Sequence, residues 1–87
     1  MRSDRARVLR LLKTARGQVD GLIRMVEDDR YCVDISNQIM AAGAILRTVN
    51  SQILQDHLNH CVREAMETEN AEEKITEIMS IIDKLAK

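Results

Sequence analysis

The apolar residues of this chain recur at steps of three and four, and nowhere do they alternate as a strand would require. Between Asp4 and Glu27, the residues Val8, Leu11, Leu12, Val19, Leu22, Ile23 and Val26 form the stripe of an amphipathic helix. The polar run "EDDR" ends that pattern. A second stripe, through Ile35, Ile39, Ala42, Leu46, Val49, Ile53 and Leu54, predicts a helix from about Tyr31 to Met66. The segment "ETENAEE" reads as a turn with Asn70 as an N-cap, and Ile75, Ile78, Met79, Ile82 and Leu85 mark a third helix. There is no Pro and there are only three Gly, so little interrupts the chain. Gly17 and Gly21 each weaken the first helix by roughly 1 kcal/mol relative to Ala, and leave room for a close helix crossing. The pattern predicts an all-α fold of three helices in a single domain over residues 1–87, with an unusually long second helix.

That length constrains any chemistry placed on it. At 1.5 Å per residue, Cys32 and His57 stand about 37 Å apart along one continuous helix, so they cannot meet within one chain. His57 and Cys61 are four residues apart and lie on one face. If two copies of the helix pack antiparallel with the two-fold axis near position 45, Cys32 of one copy falls beside position 59 of the other. Around that midpoint the sequence is "AAGAIL", and small side chains there permit close approach. One register thus builds two identical sites, each from Cys32 of one subunit with His57 and Cys61 of the other.

Composition points the same way. The chain has 87 residues, no Trp or Phe, and a single aromatic, Tyr31. A core built from Leu, Ile, Val, Ala and Met at this size needs a metal, a disulfide or a second copy of the chain. Charge adds a partner. The net charge is −1, but residues 1–24 carry seven basic against two acidic side chains, and residues 64–87 carry three basic against seven acidic. A basic start and an acidic end put a polyanion-facing surface at the N-terminus. No apolar run approaches the roughly 20 residues that cross a bilayer, and no secretory signal is visible. Two cysteines in that context imply a reducing cytoplasm, where thiols bind metal or react.

Two thiolates and an imidazole suit Cu(I), which accepts low coordination numbers and favours sulfur. Zinc would need a fourth ligand, from His60 or water, and nickel or cobalt would want more nitrogen and oxygen donors. The ordinary alternatives are plain: Cys32 as a small core hydrophobe, His60 as a solvated or capping residue, Met25, Met40, Met66 and Met79 as core fillers. Nothing forms a nucleophile–base–orienter set or a phosphate-cradling glycine loop, so an enzyme is not expected.

"RGQVDGLIRMVEDDRYCVDISNQI" followed by "DHLNHC" resembles the CsoR/RcnR family of metal-sensing bacterial repressors, most closely its copper-sensing branch. The resemblance covers nearly the whole chain. It implies an antiparallel helical-bundle dimer, a flat homotetramer made of two dimers, and Cu(I) held between subunits on Cys32, His57 and Cys61. It also implies that Tyr31 and Glu77 hydrogen-bond around the metal histidine, orienting its second nitrogen. The nickel and cobalt branch adds an N-terminal His and a second His where this chain has Cys61; formaldehyde sensors keep only the first Cys; persulfide sensors keep both cysteines and lack the His.

The function this implies is a repressor that binds operator DNA without metal and leaves it when Cu(I) binds, derepressing copper-resistance genes. The alternatives are a persulfide-sensing repressor, since two facing thiols can react with sulfane sulfur, or a copper buffer that binds no DNA. One departure bears on the DNA contacts. Where relatives carry basic residues around the "GQV" motif, this chain has Leu11, Thr14 and Asp20. Arg10, Lys13, Arg16 and Arg47 are therefore the expected phosphate contacts.

Overall fold

A computed structural model describes residues 3–67 and 71–86 as three α-helices and no strand among them: α1, Arg5–Glu27; α2, Cys32–Glu67; α3, Ala71–Leu85. The expected N-cap Asn70 lies outside the described residues. The segment expected to be a turn is shorter than "ETENAEE": Glu67 still belongs to α2, and Ala71, Glu72 and Glu73 already form the first turn of α3. Carboxylates at that end of a helix face the positive pole of its dipole, which favours helix over turn there.

Local chemistry sets the ends of α1. Asp4 caps its start, the carboxylate accepting from the backbone N–H of Ala6 at 3.1 Å and Arg7 at 3.3 Å. Its far end closes in a Schellman motif. Arg30 N–H donates to the Met25 carbonyl at 2.9 Å, and Asp29 N–H donates to the Val26 carbonyl at 3.2 Å. Asp29 pays the conformational cost, with φ of 51°, a left-handed geometry that Asp tolerates better than most non-glycine residues. The Tyr31 carbonyl then accepts the first bond of α2, from Ile35 N–H at 3.2 Å.

The chain falls into two compact units, Asp4–Val49, and Met1–Ser3 together with Asn50–Lys87; α2 runs through both without a break. The first unit buries Val8, Ala15, Ala42 and Val49; the second buries Cys61 and Ile81. Among the described residues nothing else reaches full burial, and all six side chains are small or medium. Within the single chain the glycines meet no crossing helix. A Cβ on Gly17 would meet nothing within 4 Å, and one on Gly21 would meet only the Arg24 guanidinium at 4.0 Å. Within the first unit, Val19, Leu22, Ile23, Val26, Ile35 and Ile39 instead line an open apolar groove of about 310 Å³.

Two substitutions test the two ends of α1. Asp4→Ala is expected to lower stability by about 1 kcal/mol through the lost cap. Asp29→Val should cost roughly 1–2 kcal/mol, because a β-branched residue resists positive φ. Thermal unfolding at fixed protein concentration reads both; an unchanged midpoint in either would contradict the corresponding capping geometry.

Candidate metal centre

The site lies on the second half of α2 and on α3. His57 and Cys61 stand one helical turn apart, so both side chains reach the same side of α2. Across from them α3 carries Glu77. His57 Nε2 and Glu77 Oε1 are 2.6 Å apart, and one ligand atom from each of His57, Cys61 and Glu77 lies within 4.8 Å of the others. Cys61 is buried, 1% exposed, whereas His57 and Glu77 are partly open to solvent.

The electrostatics follow from that packing. Burial pushes the Cys61 thiol pKa up, and a hydrogen bond to the Glu77 carboxylate, with its negative charge, pushes it further. Glu77 moves the opposite way. Its hydrogen bonds with His57 and with Cys61 hold its pKa below the usual carboxylate range. The carboxylate thus bridges both metal-type donors from behind.

A second set of charges fixes Glu77 in turn. Lys74 lies 3.7 Å from Glu77 Oε2, one turn earlier on α3, and pairs directly with Glu64 of α2. Glu64 also pairs with His60, the i, i+4 neighbour on α2. Hydrogen bonding to Lys74 lowers the Glu64 pKa, and the same bond raises that of Lys74. Next to His57 in the chain, Asp56 accepts from Ser3 Oγ at 2.7 Å and from Gln52 Nε2 at 2.9 Å. Lys74, Glu64, Asp56 and Ser3 were not legible as site residues. Only the i, i+4 spacing of His60 with Glu64 and the i, i+3 spacing of Lys74 with Glu77 hinted at pairs.

The remaining candidates stand elsewhere. Cys32 is the exposed first residue of α2, 25 positions before His57 on the same unbroken helix, and it is not part of the His57–Cys61–Glu77 group. Tyr31 immediately precedes α2 and is 68% exposed. Of the two outer partners expected for His57, Glu77 is the one that the single chain brings to it. Arg10, Lys13 and Arg16 are exposed on α1, and Arg47 is exposed on α2.

A thiol binds metal as its thiolate, so with Cys61 as a ligand the raised thiol pKa would make binding strengthen as pH rises. Because Glu77 contributes to that raise, Glu77→Gln should shift the Cys61 pKa downward. The pH dependence of alkylation in a Cys32→Ala background measures this; a midpoint that stays put or moves up would contradict the assigned hydrogen bond.

Comparison with known proteins agrees in kind. Residues 4–84 match the family described as metal-sensitive transcriptional repressor. The copper-sensing transcriptional repressor CsoR of Bacillus subtilis (strain 168) is 39% identical over 84 residues, which cover 97% of this chain and 83% of that protein. The structure of the copper-sensing repressor CsoR with Cu(I) from Geobacillus thermodenitrificans NG80-2 superposes with a TM-score of 0.80 at 44% identity, covering 94% of this chain and 85% of that one. The nickel-responsive transcriptional regulator InrS superposes with a TM-score of 0.86 at 26% identity, covering 98% and 96%. With its motifs, its three helices and a family match across nearly its whole length, the chain belongs to the metal-sensitive transcriptional repressors of the CsoR/RcnR family, which are regulators and not enzymes.

Proposed function

We propose that this chain is a Cu(I)-responsive repressor that holds operator DNA when metal-free and releases it when Cu(I) binds at sites shared between subunits. One observation carries the reading: two soft or borderline donors, the partly exposed His57 and the buried Cys61, lie within 4.8 Å of each other while the second thiol of the chain sits at the first residue of the same helix. The donor set fits the ion. Two thiolates and one imidazole are what Cu(I) prefers, and the partner subunit's Cys32 supplies the second thiolate. The copper-sensing relatives support the choice of metal over the nickel-type alternative, and this chain keeps Cys61 where that alternative has a His.

The assembly follows from exposed apolar surface. Ala41, Ala44 and Leu46 at the middle of α2 are exposed in the single chain, as are Ile23 and Val26 beside the apolar groove. A second copy packed antiparallel on α2 covers such surface and brings each Cys32 to the other subunit's His57 and Cys61. The assembly proposed is a homodimer, paired again into a homotetramer, acting in the cytoplasm as one domain per chain. No helix among the described residues is long and apolar enough to cross a membrane.

In the switch, His57 is the joint. One ring nitrogen is held by Glu77 of α3, which leaves the other as the donor to the ion, so closing the site around His57 couples α2 to α3. Tyr31 completes this outer set from the partner, next to its Cys32. The exposed Arg10, Lys13, Arg16 and Arg47 meet DNA phosphates, and repetition over several subunits gives them the reach that one nearly neutral chain lacks. A typical coupling of ~1–3 kcal/mol per site, summed over equivalent sites, is enough to release the operator.

Anaerobic titration should show one Cu(I) per protomer by thiolate-to-copper absorbance, and loss of operator binding over the same range. His57→Ala should remove or strongly weaken that release; release as ready as in the unmodified protein would contradict the linkage, and persulfide formation without copper uptake would contradict the metal. Operator affinity should also fall tens-fold or more between about 50 and 200 mM salt, as phosphate-dominated binding must. A flat salt response would remove DNA as the partner.

A further inference from the structure

Ser3 lies 53 positions before Asp56 in the chain, and its Oγ donates to Asp56 Oδ2 at 2.7 Å in a partly buried contact. Gln52 Nε2, one helical turn earlier on α2, donates to the other carboxylate oxygen, Oδ1, at 2.9 Å. Both oxygens of Asp56 are thus engaged, and the i, i+4 partner on its own helix fixes the direction in which the carboxylate meets Ser3. Ser3 belongs to the compact unit of Asn50–Lys87, whereas Asp4, the next residue, belongs to the other unit.

The neighbours of these two residues give the contact its weight. After Ser3 comes Asp4, which caps α1 by accepting from the N–H groups of Ala6 and Arg7, so ordered helix begins almost at the tie. Arg5, Arg7, Arg10 and Lys13 follow on α1, all exposed. After Asp56 comes His57, whose Nε2 is held by Glu77 of α3. Consecutive helix residues point about 100° apart, so a single turn of α2 grips α3 through His57 and the N-terminal segment through Asp56. We propose that Ser3 and Asp56 are a positioning pair for the switch: their hydrogen bond fixes the start of the basic helix to the turn of α2 that carries His57, and passes a shift of that turn to the DNA-contacting residues of the same chain.

This role rests on the Cu(I)-responsive repressor reading proposed above. Drawing His57 toward an ion displaces the helical turn around it, and Asp56, one residue away on the same rigid backbone, moves with it. Ser3 follows through its hydrogen bond, and the capped start of α1 carries the motion to the basic residues. Neither Ser3 nor Asp56 belongs to the donor group of His57, Cys61 and Glu77, so the pair governs operator release and not metal uptake.

The test measures operator affinity of the purified full chain under anaerobic conditions, metal-free and Cu(I)-loaded, and Cu(I) affinity separately by chelator competition without DNA. Ser3→Ala should lower the ratio of metal-free to Cu(I)-loaded operator affinity at least fivefold, equivalent to about 1 kcal/mol and to one ordinary hydrogen bond. Its Cu(I) affinity should stay within about twofold of the unmodified chain. Ser3→Thr, which keeps the hydroxyl, should restore the ratio, a rescue that a general loss of structure would not give. Asp56→Ala should lower the ratio as Ser3→Ala does, and the double variant should be no worse than either single one, because both remove the same bond. Circular dichroism checks that each variant remains helical. An unchanged ratio in Ser3→Ala, no rescue by Ser3→Thr, a parallel loss of Cu(I) affinity, or additive effects in the double variant would each overturn the positioning role. The repressor reading fails separately: an unmodified chain whose operator affinity ignores Cu(I) would refute that reading and the role of the pair with it, whereas a responsive chain with an indifferent Ser3→Ala variant would refute the pair alone.

Discussion

The continuity of α2 is the constraint on which everything else depends. A helix cannot bring its own ends together, and α2 runs unbroken for 36 residues with one thiol at its first residue and the other near its last turns. The chain therefore carries its two thiols at separate places along one continuous helix. No loop motion repairs that separation. A site that uses both thiols has to be assembled from two molecules, and a signal that closes such a site is automatically a signal about how the molecules are arranged.

The second half of the design is how little of the chain is buried. Only six described residues are fully buried, none larger than Ile, while Leu, Ile, Val and Met side chains stand exposed on all three helices. Apolar surface left open on this scale is what a second copy of the chain can cover. The polar groups around the centre have a complementary role. Glu77 ties His57 to α3, and Lys74 with Glu64 ties α3 back to α2, so the metal-type donors sit in a web of charge rather than on a free surface.

The sequence made the three helices legible because their apolar spacing is regular and nothing but "EDDR" and the segment before Ala71 interrupts it. It also made the separation of Cys32 from Cys61 legible, since that is arithmetic on a helical rise. Glu77 entered only through a family resemblance; nothing in its own neighbourhood marks it apart from the other acidic residues of α3. Lys74, Glu64 and the Ser3–Asp56 contact stayed hidden because they depend on how α3 and the N-terminal residues dock on α2, which periodicity does not encode. The expected turn at 67–73 was too long for a related reason: its polar composition reads as loop, while the dipole of α3 makes the same carboxylates good first-turn residues.

The central claim, that the copper centre is shared between chains, has a direct measurement in subunit mixing. A Cys32→Ala chain keeps His57 and Cys61, and a His57→Ala, Cys61→Ala chain keeps Cys32; neither alone should bind Cu(I) tightly. Mixed and allowed to exchange, they should recover tight, thiolate-coordinated Cu(I) at one ion per heterodimer. If the mixture binds no better than its two components, the centre is not built across the interface and the account fails.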